Sequence, residues 1–194
     1  SYDVIELCDL ELANAEARRD AYYPQARVGT DFRELLSRDE IEVVDVATHP
    51  RQRPEIVRAA LQAGKHVLSQ KPFVVDLDEG AALADLADQH GVLLAVNQNG
   101  RWAPHFSWLR EAVAAGHAGQ VSAVHCGVHW DHTWVVGTPF EQIYHLILYD
   151  FAIHWFDFLT TIAGLPAPTR VYATTSLSPN QPIKPALLAQ VAIQ

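Results

Sequence analysis

The segment Gly64–Phe73, GKHVLSQKPF, joins a short apolar run to an abrupt turn. Residues 66–69 are typical of a β-strand, and Lys71 and Pro72 follow almost at once. Proline lacks a backbone N–H and biases the preceding residue away from helical dihedrals. The segment therefore predicts a strand that ends in a tight corner carrying a lysine. Such a corner is either an ordinary surface turn or a place that holds a cation against a ligand.

Strand-like and helix-like segments alternate on both sides of this corner through the first 100 residues. The predicted strands are residues 4–8, 42–47, 66–69 and 92–97, and the predicted helices are residues 11–22, 31–38, 54–64 and 77–91. Asp31 is a candidate N-cap, because its carboxylate can accept hydrogen bonds from the first turn of a helix. This alternation implies βαβ units, and hence a parallel sheet with right-handed crossovers.

The pattern changes after Trp102. Helices are predicted at 103–119 and 145–164, and strands at 121–132, 170–178 and 186–194. Residues 121–132 alternate apolar and polar side chains, as a half-buried strand does. We therefore expect two domains, residues 1–102 with a parallel sheet and residues 103–194 of the α+β type.

Composition narrows the class of protein. The chain has 194 residues, a hydrophobic fraction of 49% and a formal net charge of −9. This charge argues against nucleic acid or an anionic membrane as partner. With no membrane-span or signal-peptide pattern, we expect a cytoplasmic protein. Cys8 and Cys126 lie in apolar runs and are expected to be buried free thiols rather than a disulfide. A chain that begins with Ser1 and has no methionine is expected to be processed or part of something longer.

Two predicted strand exits carry polar residues. An acidic residue at the end of a parallel strand, such as Asp9, can bind a ribose diol, although Asp9 is equally suited to capping the following helix. Thr48, His49 and Pro50 follow another strand and would line a ligand crevice, although Thr and Pro also occur in ordinary turns.

Asp150 and His154 are spaced i, i+4 in a predicted helix, so their side chains stand one turn apart. The carboxylate can orient the imidazole, and the imidazole can exchange a proton near neutral pH. The alternative is a hydrogen-bonded core histidine with no part in chemistry.

Five segments of the chain together resemble the Gfo/Idh/MocA oxidoreductases. They are AGKHVLSQKP at residues 63–72, CDL at 8–10, Thr48–His49–Pro50, VNQNGRW at 96–102 and YDFAIHWFD at 149–157. The resemblance implies a Rossmann-type doubly wound parallel sheet followed by an α+β domain with a largely antiparallel sheet. It also implies an NAD(P)-dependent dehydrogenase acting on a secondary alcohol of a sugar, polyol or related small molecule, assembled as a dimer or tetramer.

The resemblance assigns roles to individual residues. Lys71 would be catalytic: it would lie beside the nicotinamide and either take part in proton transfer or donate to the carbonyl oxygen, on a Lys–Pro peptide bond that is often cis in the family. His154 would take the hydroxyl proton as the hydride leaves, and Asp150 would orient His154 and contact the substrate. Asp9 would bind the adenosine ribose, where its carboxylate would favour NAD over NADP. The remaining cofactor positions would be Thr48, His49, Pro50, Gln70, Asn99 and Arg101.

Three features depart from the family pattern. Gln70 stands where a glutamate usually precedes the lysine, and Arg53 lies near the place of a frequent histidine. The first strand with its Gly-rich phosphate loop is absent, so two strand edges are expected to lack the strand between them. These residues are therefore expected to be a portion of a longer protein, unless something else fills the gap.

Two other functions are open from the sequence. The chain could be an inactive relative that binds a ligand or partner. A metal-dependent hydrolase could use His125, His129 and Asp131, which would share one face of a strand, although their spacing matches no strict metal motif and an exposed polar strand is the simpler interpretation. The aromatic residues Trp130, Trp134, Phe140 and Tyr144 are candidates for one wall of a substrate site.

Overall fold

The chain folds into two units, Ser1–Asn97 and Gln98–Gln194, in a computed structural model that describes residues 2–162 and 167–194. In the first unit, β-strands alternate with α-helices, as the sequence predicts. The elements are β1 (Glu6–Cys8), α1 (Leu12–Tyr22), β2 (Arg27–Gly29), α2 (Phe32–Leu36), β3 (Val43–Val46), α3 (Arg53–Gln62), β4 (His66–Gln70), α4 (Leu77–His90) and β5 (Leu94–Asn97).

All strands of the first unit run parallel, but they form two sheets. β1 pairs with β2, and the other sheet has the order β3-β4-β5. Among the described residues, β1 and β3 each have a strand partner on one side only. Within the part of the chain that the structure describes, the parallel strands of the first unit thus form two separate sheets rather than one continuous sheet.

Local signals explain the helix ends. Asp76 caps α4, since its carboxylate accepts hydrogen bonds from the N–H groups of Asp78 (2.9 Å) and Glu79 (3.4 Å). Gly91 ends α4 at φ +65°, a conformation that glycine adopts without the steric cost of a Cβ. Asp31 caps α2 through the N–H of Arg33 at 2.9 Å, as predicted.

The core of the first unit lies between the β3-β4-β5 sheet and the helices α2, α3 and α4. Alternate residues of β3 and β4 point into it, which is the period-two pattern of a strand. The fully or almost fully buried side chains of this core are Val46, Val57, Ala60, Leu61, Val67, Leu83 and Ala87.

The second unit contains α5 (Pro104–Ala114), α6 (Ile153–Thr161) and the antiparallel pair β6 (Val171–Ser176) and β7 (Leu188–Ile193). Short 3₁₀ turns cover Asn99–Trp102, Thr133–Val135 and Pro139–Gln142, and a π-helical turn covers Ile147–Phe151. Phe106 of α5 stacks on buried Phe158 of α6, with ring centroids 4.4 Å apart. A second cluster of buried residues comprises Val135, Ile143, Leu146 and Ile183.

Several predictions for the second unit are wrong. Residues 121–132 form no strand, because a strand requires a hydrogen-bonded neighbour and no described segment pairs with them. The helix predicted at 103–119 ends at Ala114, and the helix predicted at 145–164 is a π turn followed by the shorter α6. The predicted end of that helix at Gly164 lies outside the described residues.

The two cysteines are free, as predicted, but only one is shielded. Cys8 is only half-buried on β1 and Cys126 is exposed, contrary to the prediction that both are buried; residues 121–132, which contain Cys126, form no strand. Partial burial and the neighbouring Glu6 raise the pKa of the Cys8 thiol. No helix in the described part of the chain is long and apolar enough to cross a membrane.

Candidate functional site

The corner predicted from GKHVLSQKPF lies at the carboxyl end of β4. The Lys71–Pro72 peptide bond is cis, as the resemblance implies. Pro72 is fully buried, while Lys71 and the preceding Gln70 are half-buried. In open α/β sheets this edge, outside the carboxyl ends of the strands, is where ligands bind.

The neighbouring strand β3 leaves the sheet at the same edge and leads into residues 48–50. The backbone turns tightly here, with the N–H of Gln52 donating to the carbonyl of His49 at 3.0 Å. Pro50 is buried. The Thr48 hydroxyl Oγ1 is also buried and has no hydrogen-bond partner among the described residues. A buried hydroxyl in this position can serve a polar ligand.

Arg53 ties these two strand exits together. Its guanidinium donates through Nη2 to the carbonyl of Thr48 at 2.5 Å, through Nη1 to the carbonyl of Gln70 at 2.7 Å, and also to the carbonyl of Pro72. The residue is only 3% exposed. The loop after β3 and the Lys71 corner are therefore held by one side chain.

Asp9 follows β1, which belongs to the other parallel pair. Its Oδ1 accepts hydrogen bonds from the N–H of Glu11 at 2.9 Å and from Asn14 Nδ2 at 3.2 Å. Asp9 thus shapes the turn into α1, and it remains exposed. The N-cap of α1 is Glu11, so Asp9 does not cap the helix as the alternative expected, and its exposed carboxylate at the strand end suits a ribose diol.

In the second unit, Asp150 and His154 lie on either side of a change in helix type. Asp150 belongs to the π turn, where the N–H of Ala152 donates to the carbonyl of Ile147 at 2.7 Å. His154 lies in the first turn of α6. Asp150 is 5% exposed and His154 is half-buried. Isolated π turns occur frequently at functional sites.

The 3₁₀ turn that contains Asn99 and Arg101 packs against His154. The side-chain amide of Gln98 is 3.3 Å from His154 Nδ1 and also donates to the carbonyl of Ile153 at 3.3 Å. Gly100 lies directly against the imidazole, because a Cβ added there would be 2.6 Å from Nδ1. No larger residue fits at position 100 without moving the ring.

One helical turn further along α6, Asp157 fixes the orientation of Arg101. Arg101 donates through Nε to Asp157 Oδ2 at 3.0 Å and through Nη2 to Oδ1. This two-pronged hydrogen bond raises the pKa of Arg101, so the guanidinium stays charged. Asn99, between these contacts, is exposed.

An aromatic cluster extends from the π turn. Trp130 meets Phe151 edge to face at 5.1 Å between ring centroids, and buried His132 lies 5.3 Å from Trp134 and 4.9 Å from Phe151. Phe140 packs on Trp134 at 5.7 Å. Trp130 and Trp134 remain 67% and 52% exposed. Tyr144, expected to belong with these rings, instead contacts the ring of His145, with centroids 3.8 Å apart and planes tilted by 50°.

The structure does not bring His125, His129 and Asp131 together as the metal-dependent hydrolase hypothesis requires. Its ligands were to share one face of a strand over residues 121–132, and this strand is not formed. Within the described ranges, no three His, Cys, Asp or Glu side chains converge as a metal site. Asp131 instead accepts hydrogen bonds from Thr133, which lower the pKa of its carboxyl group.

The structure thus assembles the sequence candidates in two groups. Thr48, His49, Pro50, Gln70 and Lys71 lie together in the first unit, and Asn99, Arg101, Asp150 and His154 lie together in the second. Asp9 lies at the end of another strand.

Four further residues shape these groups and were not singled out as site residues. Arg53 was noted only as a departure from the family pattern. Gln98 and Gly100 lie inside the motif VNQNGRW, and Asp157 follows His154 by three residues, so the motifs themselves pointed to them.

Two family models match the chain. Residues 1–98 match an oxidoreductase family with an NAD-binding Rossmann fold, and residues 106–192 match the GFO/IDH/MocA C-terminal domain. An uncharacterised oxidoreductase of Schizosaccharomyces pombe is 39% identical over 106 residues, which are 55% of this chain and 29% of that protein.

Similar proteins with more specific names also match. A scyllo-inositol 2-dehydrogenase (NADP(+)) of Bacillus subtilis is 37% identical over 101 residues, which are 52% of this chain and 28% of that enzyme. The WlbA dehydrogenase of Bordetella pertussis, solved with NADH and UDP-GlcNAcA, shares the fold at a TM-score of 0.84 and 22% identity, covering 99% of this chain and 56% of that one. The match spans less than a third of either curated relative. With both family models matched in order along its length, the chain belongs to the Gfo/Idh/MocA family of oxidoreductases.

Proposed function

We propose that the protein is an NAD-dependent dehydrogenase that moves a hydride between the cofactor and a secondary alcohol carbon of a sugar or polyol. The observation that carries this proposal is the Lys71 corner. It lies at the ligand-binding edge of a parallel sheet, beside the exit of β3, and is bonded to that exit by Arg53. Membership of an oxidoreductase family and the scyllo-inositol dehydrogenase among its relatives support the reaction class.

The described residues fit a nicotinamide dinucleotide. Asp9 presents an exposed carboxylate at the end of β1, suited to a ribose diol and repulsive to a 2′-phosphate, which favours NAD over NADP. The buried Thr48 hydroxyl would face a polar group of the cofactor. The other proposed cofactor contacts come from His49, Pro50, Gln70, Asn99 and Arg101. When bound, the cofactor accepts or returns the hydride.

Side chains of the protein would accept the hydroxyl proton that leaves the substrate when the hydride passes to the cofactor. In alcohol oxidation, the hydroxyl proton passes to His154 as the C–H bond breaks and the carbonyl forms. We assign this exchange to Nε2, because Nδ1 faces Gln98. Asp150 would orient His154 and contact a substrate hydroxyl. The ammonium of Lys71 would hydrogen-bond the reacting oxygen and share in the proton transfer.

The aromatic cluster supports a sugar or polyol as substrate. Trp130 and Trp134 expose large ring faces next to the π turn that carries Asp150. The apolar C–H face of a cyclic polyol stacks on such rings, while its hydroxyl groups seek partners such as a buried carboxylate.

We further propose that copies of the chain associate through β6 and β7. Both faces of this pair expose apolar side chains of the kind that interfaces cover, Val171 (65%) and Ile193 (42%) on one face and Tyr172 (70%) and Leu188 (48%) on the other. Light scattering on the product of the complete gene should show a dimer or tetramer; a monomer would contradict this proposal.

The reaction is tested with the product of the complete gene, NAD or NADP, and a panel of cyclic polyols and sugars, by following absorbance at 340 nm. We expect NADH formation with at least one member, and a loss of at least about 10²-fold in kcat for Lys71→Ala and His154→Ala. Lys184→Ala, an exposed lysine of the second unit, is the control and should match the wild type. Cofactor or polyol binding without any turnover would favour the inactive ligand-binding relative instead.

A further inference from the structure

The burial of Arg53 calls for a functional explanation. Arg53 is the first residue of α3, at the helix end whose dipole disfavours a cation. Its side chain is nonetheless 3% exposed, and burying a charge is costly unless hydrogen bonds compensate. The compensating acceptors include three main-chain carbonyls outside α3. These hydrogen bonds therefore stabilise the loops that Arg53 joins rather than helix α3.

Two of these carbonyls belong to the residues on either side of Lys71. Gln70 precedes Lys71 and Pro72 follows it, and both carbonyls accept from the same nitrogen, Nη1. A planar guanidinium with fixed N–H directions can hold two acceptors in one geometry. Fixing the Gln70–Lys71 and Pro72–Phe73 peptide planes confines the backbone between them, and hence the Cα–Cβ direction from which Lys71 presents its ammonium.

The third carbonyl connects this corner to the loop after β3. Thr48, whose carbonyl accepts from Nη2, also has the buried hydroxyl that we assign to the cofactor. The lysine that would act on the substrate and the loop that would hold the cofactor therefore share one rigid support.

We propose that Arg53 is the positioning residue of Lys71. It sets the direction of the Lys71 side chain and the position of Lys71 relative to the loop that contains Thr48. This inference rests on the proposed function, and it predicts that loss of the guanidinium lowers kcat more than it weakens cofactor binding. Lysine cannot substitute, because its ammonium is a point charge on a flexible chain and does not reproduce the fork.

The test compares Arg53→Lys and Arg53→Met with Arg51→Met in the product of the complete gene. Arg51 is exposed and lies two residues away, so Arg51→Met is a matched control. The first readout needs no activity. Lysines are labelled with ¹³C-methyl groups, and the Lys71 signal is identified as the one missing in Lys71→Ala. We expect the NMR shift of Lys71 to change in both Arg53 variants and not in Arg51→Met.

The second readout is kinetic. For Arg53→Lys we expect kcat to fall by about 10- to 100-fold, with the Kd for NADH within about threefold of the wild type. Should Arg53→Met fail to fold, Arg53→Lys alone decides, since it retains the charge. An unchanged Lys71 signal and unchanged kcat in a folded Arg53→Lys would overturn the proposal, as would equal effects in Arg51→Met. If the wild type has no dehydrogenase activity but Lys71 still responds to Arg53, the proposed function is wrong and the support of Lys71 by Arg53 stands.

Discussion

Replacement of Gly100 by alanine tests the position of His154 with a single added methyl group. Gly100 lies outside the left-handed region of φ, so alanine is compatible with its backbone. The new Cβ would be 2.6 Å from His154 Nδ1, 3.1 Å from Cγ and 3.2 Å from its own Cβ. Ordinary contact begins at 3.4 Å, so the ring or the turn must retreat by about 0.8 Å.

A displacement of this size has a predictable kinetic cost. Misplacing a reacting group by about 1 Å lowers the rate by roughly 10²-fold, which corresponds to about 2.7 kcal/mol of transition-state stabilisation. Most proposed cofactor contacts, among them Thr48, Gln70 and Lys71, lie in the other unit, whereas Asn99 and Arg101 flank Gly100. We therefore expect Gly100→Ala to lose about 10²-fold in kcat and to weaken NADH binding by much less.

The assay is steady-state kinetics at 340 nm with the best substrate of the polyol panel, accompanied by a thermal melt. Gly127→Ala is the matched control, because a Cβ there meets no atom within 4 Å and φ is not left-handed. It should leave both kcat and the melting temperature unchanged. A well-folded Gly100→Ala protein with wild-type kcat would show that the reaction does not depend on the position of His154, which would contradict the role proposed for this residue.

Three further predictions concern stability. Leu61→Ala, at a side chain with no exposure, should lower the free energy of unfolding by about 2–5 kcal/mol in urea titrations, whereas Leu77→Ala, 82% exposed, should change it by less than about 0.5 kcal/mol. Asp76→Ala should cost about 1 kcal/mol in the same assay through loss of the α4 cap, and Asp76→Asn should recover most of it. Partial desolvation raises the pKa of the Asp45 carboxyl above its ordinary value, although the residue is exposed, so ionisation of Asp45 disfavours the folded state and stability falls as pH rises from the unfolded-state pKa through the folded-state pKa. Asp45→Asn should therefore stabilise the fold at pH 7 and have no effect well below pH 3.8, and an equal effect at both pH values would contradict the assignment.

The first unit was largely predictable because its signals are local. Caps such as Asp31 and Asp76, the closing glycine Gly91 and the period-two pattern of β4 each act within a few residues of the element they define. β2, Arg27–Gly29, was missed because it has a single apolar side chain, Val28, whereas the equally short β1 lies in the apolar run of residues 4–8.

The second unit shows where sequence patterns fail. Residues 121–132 have the alternation of a strand, but a strand is defined by its partner, which a sequence pattern does not supply. The π turn at Ile147–Phe151 was equally hidden, since a shift from i→i−4 to i→i−5 hydrogen bonding leaves the apolar pattern intact.

The candidate site also has features that the sequence predicts and features that it does not. Lys71, Asp150 and His154 stood out because motifs carry them, and the cis bond before Pro72 followed from the resemblance. The bonds of Arg53 were not predictable, because they join residues up to 19 positions apart through main-chain carbonyls that are chemically alike at every residue.

The most direct test of the central claim is isotope transfer. A polyol substrate deuterated at the reacting carbon is incubated with NAD and the product of the complete gene, and the NADH formed is analysed by mass spectrometry. We expect one deuterium in each NADH, at a rate reduced by at least about 10²-fold in Lys71→Ala. Unlabelled NADH, or a labelling rate that is the same without Lys71, would contradict it.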